Sequence, residues 1–516
     1  MVITGEIVQN KRMWHYLKIL SPLFLISSLS CGLSIYYLRF NPEHLLMFDD
    51  SYITLKFASN FFRYGGITYD GTSYLVGATS PLHIIFVALV GLFLKIETAA
   101  LVVGIVFFVF SSLLVYLWIF KIYEERKIAL LAGVMMSTSG WLIFDSLNGL
   151  DTTTFICFSL LTFYLFYVYE RRVFYIFPLF LSILARPEGW FIACALWMWQ
   201  VIQYVDHKDK QILRHLLISF GIFILLIAPY FLFSLYCIGS LLPNTAFSKA
   251  IFFAERSLAF VKRCASFRNG FLLFYKILLY PTPLFVFTLV LFARKLISLP
   301  YLWFYYFIFY LFYFLLFPGA IGHYWCRYQH IFIPLLIIAI SSGAFELIRI
   351  CKRRTLRVSI FTLIVATLFY NQGEQFMRID NIYLRSIECT KRTMIDLSLW
   401  LKRNTPQDSL IAVHDIGAVG YFSDRSILDL VGLVNPEISK YYWDKQSKKL
   451  LPISERRVIN YLKEKKPDYL VMFPKWDRYF NFFQSNNRKH FKHVYTSNPI
   501  FPSRVKYNVF KCYWEL

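Results

Sequence analysis

Charge is what this sequence has least of. The four charged residue types make up 16% of its 516 residues, against 57% hydrophobic and 20% aromatic. Apolar runs recur from residue 19 to about 370, and mean hydropathy is positive. That balance excludes a soluble globule and reads as a polytopic α-helical membrane protein. Acidic residues are scarcer still, with 31 Asp and Glu facing 54 Lys and Arg. The resulting charge of +23 lies largely in short loops between apolar runs, where Lys and Arg fix topology, so nucleic acid is not the partner it implies. The nine cysteines form no CxxC pair and no Cys/His zinc spacing, so no redox or zinc module is indicated. No repeat of 20–50 residues and no low-complexity tract is present. The first apolar run lacks a small-residue cleavage site and reads as a retained helix.

Apolar runs fall at roughly 19–38, 99–120, 128–144, 152–169, 173–185, 189–204, 215–237, 271–293, 301–317, 329–348 and 358–370. Basic clusters between them, such as Lys121, Arg126 and Lys127, or Lys352, Arg353, Arg354 and Arg357, mark the cytoplasmic side. Residues 81–94 make a run too short to span, more typical of a re-entrant helix, and belong with 39–98 to a large first external loop. The expectation is therefore about 11 transmembrane helices over residues 1–371, N-terminus cytoplasmic, in a bacterial cytoplasmic membrane. Residues 372–516 are expected to form an extracytoplasmic α/β domain, with a helix near 386–403, strands at 409–415, 425–430 and 468–473, and a helix around 454–464. This parity collects the polar segments 47–53, 146–155, 185–190, 239–249 and 322–328 on one external face.

The segment MFDDSYITLKFASNFFRYGG (47–66) places Asp49 and Asp50 at the start of an amphipathic helix. Ile53, Phe57, Phe61 and Tyr64 share one face, with Lys56, Ser59, Asn60 and Arg63 opposite, as in a helix lying along the membrane interface. Asp50 or Ser51 can cap it and Gly65–Gly66 can stop it, so a plain capping role competes with a chemical one. ATSPLH (78–83) starts the re-entrant helix with Pro at an early position.

These residues resemble the GT-C superfamily of membrane glycosyltransferases, which carry an acidic pair after the first span, an interfacial helix and a Pro-Leu-initiated helix. FDDSYITLKFASN followed by ATSPLH is similar to the DD-x-Y-I…TxPL pattern of bacterial terminal arabinofuranosyltransferase-like proteins, which act in cell-wall assembly. Further along the chain, NGLDTTTF resembles the G-x-E-T element with Asp151 in place of Glu, and LARPEG and LLPNTAFSK also match. GHYWCRY stands where a Gly-Gly-Asp-Trp-like sequence is more usual, and VHDIGAVGYFSDRSILDLVGLVNPE (413–437) resembles the family's tail.

The resemblance implies an inverting glycosyltransferase that moves a sugar from a polyprenyl-phosphate donor to a cell-envelope glycan or glycolipid. Such an enzyme must deprotonate an acceptor hydroxyl and stabilise a departing lipid phosphate. Asp49 is the expected general base, with Asp50 as orienter or cation ligand. Arg186, Lys249 and Arg327 are candidates for the phosphate, with Asn244 and Thr245 as donors to it. Each cation also has a bland role, as a snorkelling or solvated charge. Tyr52, Asp151, Glu188 and His323 are expected to face the site, although Asp151 could cap the next helix and Glu188 could pair with Arg186. His323 with Asp49 and Asp50 could hold a divalent cation, but no ligand spacing requires one. No other cofactor is implied. The adjacent His414 and Asp415 lack companion histidines for metal hydrolysis, and the tail is expected to pack over the external loop. The competing class, a polytopic transporter or flippase for a lipid-linked saccharide, calls for inverted repeats and charges at mid-membrane depth. The hydropathy pattern here shows no duplication.

Overall fold

The structure is a computed structural model of the chain. It describes residues 21–515 except 170–172, 241–244, 246–247, 249–251, 253–259, 280–298, 444–450, 452–456, 484–486 and 499–505.

Helices occupy the apolar runs read from the sequence, with the 271–293 run extending outside the described residues. Four of them, Ser21–Leu38, Ile96–Tyr123, Lys210–Ile238 and the kinked stretch Ala320–Ile350, are long and apolar enough to cross a bilayer. A fifth crossing arises if Arg126–Ser137 and Gly140–Ser146, bent by 55°, act as one. These counts are of the described residues, where Thr152–Val168, Val173–Ala185 and Pro300–Leu316 form shorter apolar helices.

Local sequence sets the boundaries. Asp209 caps the 210–238 helix by accepting from the Gln211 amide at 2.8 Å, and Gly239 ends it in a left-handed conformation. Proline opens the 81–90 and 300–316 helices at the position where its missing N–H costs nothing. Inside the bundle, Ser30 donates to Ser112 at 3.2 Å and to Ser137 at 2.9 Å, and Ser34 meets Ser146 at 3.2 Å. These small residues let four helix segments approach closely where water cannot drive association.

The Arg354–Thr390 helix is 37 residues long, roughly 55 Å at 1.5 Å per residue, and runs without a break through residue 372 into the tail. There a five-stranded sheet forms in the order β2-β1-β3-β5-β4 from β1 (Leu410–Val413), β2 (Ser426–Asp429), β3 (Tyr469–Met472), β4 (Phe491–Thr496) and β5 (Asn508–Cys512). β1 pairs in parallel with β2 and β3, whereas β5 is antiparallel to both β3 and β4. The last two strands and the Ile416–Phe422 helix are additions to the sequence expectation.

Alternation along the strands gives the sheet two apolar faces. Ala412, Leu428, Leu470 and Met472 build a separate small core with Tyr442, Tyr461 and Phe480. Ile411, Val413, Tyr469, Val471 and Val509 join the same buried cluster as the membrane helices. The tail is thus packed into the bundle's core.

Candidate active site

The acidic pair opens the Asp49–Arg63 helix, whose N-cap is Phe48 with no side-chain cap bond. Neither Asp50 nor Ser51 caps it. Tyr52, Leu55, Phe57 and Ala58 are buried against protein, while Ser59, Phe62 and Arg63 leave one face of the helix exposed. The covering element is the tail's Ile416–Phe422 helix, which the sequence reading lacked.

Asp49 is consumed by that contact. Its Oδ2 accepts from the Gly417 amide at 2.8 Å and its Oδ1 from the Ala418 amide at 2.7 Å, satisfying orphan donors at the start of the tail helix. A Cβ on Gly417 would lie 1.9 Å from the Asp49 carbonyl oxygen, so only glycine permits this approach. Tyr69 adds a bond from its hydroxyl to the Ile416 carbonyl at 2.6 Å. Burial, with Asp415 nearby, holds the Asp49 carboxyl well above the usual range despite the two amide bonds.

Asp50 instead opens onto a cavity of about 200 Å³. Its side chain is 39% exposed, and Oδ2 lies 4.0 Å from Nη2 of Arg327. Arg327 is only 7% exposed, and its Nε and Nη1 make no hydrogen bond to the described residues. A buried guanidinium with two unmatched donors is costly unless a ligand completes it. Tyr324 and Tyr328 present their rings to it at 5.6 and 5.4 Å.

Arg186 also lines the cavity, but its donors are spent. Nη2 and Nε bond Glu188 at 2.9 and 3.2 Å, and Nη1 reaches Thr152 at 3.4 Å and Asp151 at 3.5 Å. Glu188 also accepts from the Tyr313 hydroxyl at 2.8 Å. Asp151 stands at the N-cap of the 152–168 helix without making a cap bond. This group is an ion-paired wall of the cavity, one guanidinium between two carboxylates.

Of the remaining candidates, Thr245 and His323 line the cavity, and Asn244 and Lys249 lie outside the described residues. Tyr52 does not line it; fully buried, it accepts from the Leu46 amide at 2.9 Å and packs on Phe422. Among the described residues no three His, Cys, Asp or Glu side chains cluster as a metal site, so the donors offer no preformed cage for a divalent ion.

The tail supplies the rest of the lining through His414, Asp415, Ile416, Val431, Leu433 and Trp476. His414 Nε2 accepts from the Phe473 amide at 3.0 Å, which puts the ring proton on Nδ1, 3.0 Å from Asp415 Oδ2. The Tyr507 hydroxyl donates to the same oxygen at 2.5 Å. Burial alone would raise the Asp415 carboxyl, but His414 and Tyr507 hold it below the usual range. The 429–435 loop is set by Asp429, fully buried, whose oxygens accept from the Val431 and Val434 amides at 2.7 and 2.8 Å. It presses on the first external loop at Gly77 (φ 85), where a Cβ would meet the Leu433 carbonyl at 2.8 Å. The signal for this roof was present in the sequence as VHDIGAVGYF, two glycines in an apolar stretch, a pattern of close backbone approach.

A domain-family model described as a domain of unknown function, DUF8728, matches residues 380–510. No curated protein matches the chain. Among solved structures, ArnT from Cupriavidus metallidurans in the apo state is similar over 99% of this chain and 98% of its own, at 11% identity and a TM-score of 0.57. The same protein bound to undecaprenyl phosphate is similar over 94% of this chain and 97% of its own, again at 11% identity, with a TM-score of 0.58. The chain thus shares its fold with ArnT over nearly the whole length of both chains.

Proposed function

We propose that the chain is a membrane glycosyltransferase of the GT-C type that takes its sugar from a polyprenyl-phosphate donor and acts in the cavity between membrane helices and tail. The observation that carries this reading is the facing pair of Asp50, a partly exposed carboxylate, and Arg327, a buried guanidinium with two unmatched donors. One group suits a proton, the other a phosphate. The whole-length likeness to a structure with bound undecaprenyl phosphate supports the choice of donor.

In this mechanism Asp50, not Asp49, is the general base. Asp50 takes the proton from the acceptor hydroxyl, whose oxygen attacks the anomeric carbon from the face opposite the phosphate. The bond from that carbon to the phosphate oxygen breaks with its electron pair, and Arg327 meets the charge that develops there. Inversion follows from a single displacement, so no carboxylate nucleophile is needed. Asp49 docks the tail, and the 1–371 and 372–516 segments work as bundle and roof. The topology read from charge puts the cavity on the extracytoplasmic face, and the acceptor is a cell-envelope glycan or glycolipid. A pentose donor fits the arabinofuranosyltransferase-like motifs.

The test is transfer by the purified chain from lipid extracts containing polyprenyl-phosphate sugars, with products followed by mass spectrometry. Asp50→Asn is expected to cut turnover by about 10²–10⁴-fold while donor binding persists. Asp49→Asn should instead lower thermal stability. Full turnover by Asp50→Asn would remove the assigned base, and no transfer by the wild type from any such donor would remove the reading.

A further inference from the structure

Three consecutive residues with side chains, Tyr324, Trp325 and Cys326, adopt left-handed backbone conformations, with φ of 43°, 58° and 68°. L-residues rarely do this singly, and a run of three persists only where surroundings over-determine it. The run is flanked by two cavity residues, His323 before it and Arg327 after it. Whatever holds the turn therefore sets where the guanidinium points.

The brace comes from a buried hydrogen-bonded pair that the chemistry described so far does not use. His330 and Asp145 are 1% and 0% exposed, within the membrane bundle. His330 Nδ1 lies 2.8 Å from Asp145 Oδ2, and Nε2 lies 3.0 Å from the carbonyl oxygen of Trp325, the middle of the run. The carbonyl can only accept, so Nε2 donates to it, and Nδ1 faces the Asp145 carboxyl. The Trp141 ring lies 5.3 Å away. The network also reaches the acidic helix. Asn148 donates to Asp145 Oδ1 at 3.1 Å, and Ser51, next to Asp50, donates to the Asn148 carbonyl at 2.5 Å. Ionisable groups in a membrane bundle are expensive and are kept for a task.

We infer that the His330–Asp145 pair is a positioning device that locks the left-handed turn and so fixes Arg327 opposite Asp50. The inference rests on the proposed function for its consequence, and on hydrogen-bond geometry for the lock itself.

Two readouts on the full chain in detergent separate these layers. Cys326, fully buried at the end of the run, reports the turn through alkylation by N-ethylmaleimide, read peptide by peptide in a mass spectrometer. His330→Leu is expected to speed its labelling about ten-fold or more, and His330→Gln, which keeps a donor for the Trp325 carbonyl, should stay near wild type. Undecaprenyl phosphate, titrated by native mass spectrometry, reports the guanidinium. His330→Leu and Arg327→Gln should each weaken binding about ten-fold or more, and Arg327→Gln with His330→Leu should be no weaker than Arg327→Gln alone. A residue that only stabilises the fold would give additive losses. Wild-type labelling in His330→Leu, or additive losses in the double variant, overturns the inference. If His330→Leu does not stay monodisperse, Asp145→Asn with His330→Leu, which leaves no unpaired carboxylate and no donor for the Trp325 carbonyl, is read by the same two measures with the same outcomes expected. If the wild type binds no undecaprenyl phosphate, the donor assignment fails and the labelling arm alone decides the lock.

Discussion

Adding one methyl group at Gly417 is the sharpest test of how the tail is attached. The new Cβ of Gly417→Ala would sit 1.9 Å from the Asp49 carbonyl oxygen and 2.8 Å from its Oδ2, and the first of these atoms is backbone that cannot rotate away. The tail helix must retreat, and both amide bonds to Asp49 go with it. Their loss costs about 3 kcal/mol, taking a middle value between neutral and charged acceptors. If the helix holds its place instead, the overlap itself costs about 1–3 kcal/mol or more. Either way about 3 kcal/mol is a large share of the roughly 5–15 kcal/mol that keeps a domain folded. It need not unfold the whole chain, because the 416–422 helix can lift while the sheet stays. The assay is hydrogen exchange by mass spectrometry on peptides covering 410–430. Protection at positions 417 and 418 should fall roughly 10²-fold, with little change at β3. Exchange within about ten-fold of wild type would show that the Asp49 anchor holds far less than its geometry implies.

Gly420→Ala makes a contrast, since its Cβ would strike the Tyr69 hydroxyl at 1.8 Å, a side-chain atom. It should destabilise alone, and Tyr69→Phe should recover much of the loss in a thermal melt even though it gives up the bond to the Ile416 carbonyl, worth about 1 kcal/mol. Arg186→Gln leaves Glu188 and Asp151 without their cation and should cost about 3–5 kcal/mol of stability, read by thermal unfolding in detergent. Arg327→Gln, which breaks no short ion pair, should leave stability nearly intact while donor binding weakens. Burial lifts the Asp429 carboxyl to about 6, against bonds from the 431–434 amides that lower it. The folded state then binds more protons than the unfolded one, whose carboxyl titrates near 3.9, so stability falls as pH rises from about 4 through about 6. Asp429→Asn should flatten that limb in melts taken across the window.

Much of the fold was legible because membrane helices announce themselves by composition over about 20 residues, and nothing in the tertiary structure has to be known to see them. The convergence of 47–53, 146–155, 185–190 and 322–328 on one cavity followed from loop parity alone. What sequence could not reveal was which partner each charge would choose. Arg186 and Arg327 look alike as isolated cations beside apolar runs. Glu188, two residues away, satisfies the first, while the second meets only a carboxylate at 4.0 Å. The tail helix was invisible for a related reason. IGAVGYF has two glycines in seven residues and poor helix propensity, and it is helical because the 49–63 helix and Tyr69 hold it in place. Strands β4 and β5 were missed because they are short, charged at Lys492 and Lys511, and paired across a bulge at His493/Tyr495.

The adjacent acids show why adjacency says little about shared work. Successive residues on a helix point about 100° apart, so Asp49 and Asp50, although both border the cavity, present their carboxyls in different directions. One turns toward the tail and the other toward the cavity, and each is matched to its surroundings. Asp49 accepts a tail amide on each carboxyl oxygen; Asp50, partly exposed, lies opposite Arg327. The arrangement couples roof to chemistry, because the carboxylate that pins the tail is covalently next to the one proposed to take the proton. A tail that lifts from Asp49 would shift the first turn of the helix and with it the 4.0 Å separation from Arg327. Closure of the roof and assembly of the acid–base pair are then one event, since they share a single backbone peptide.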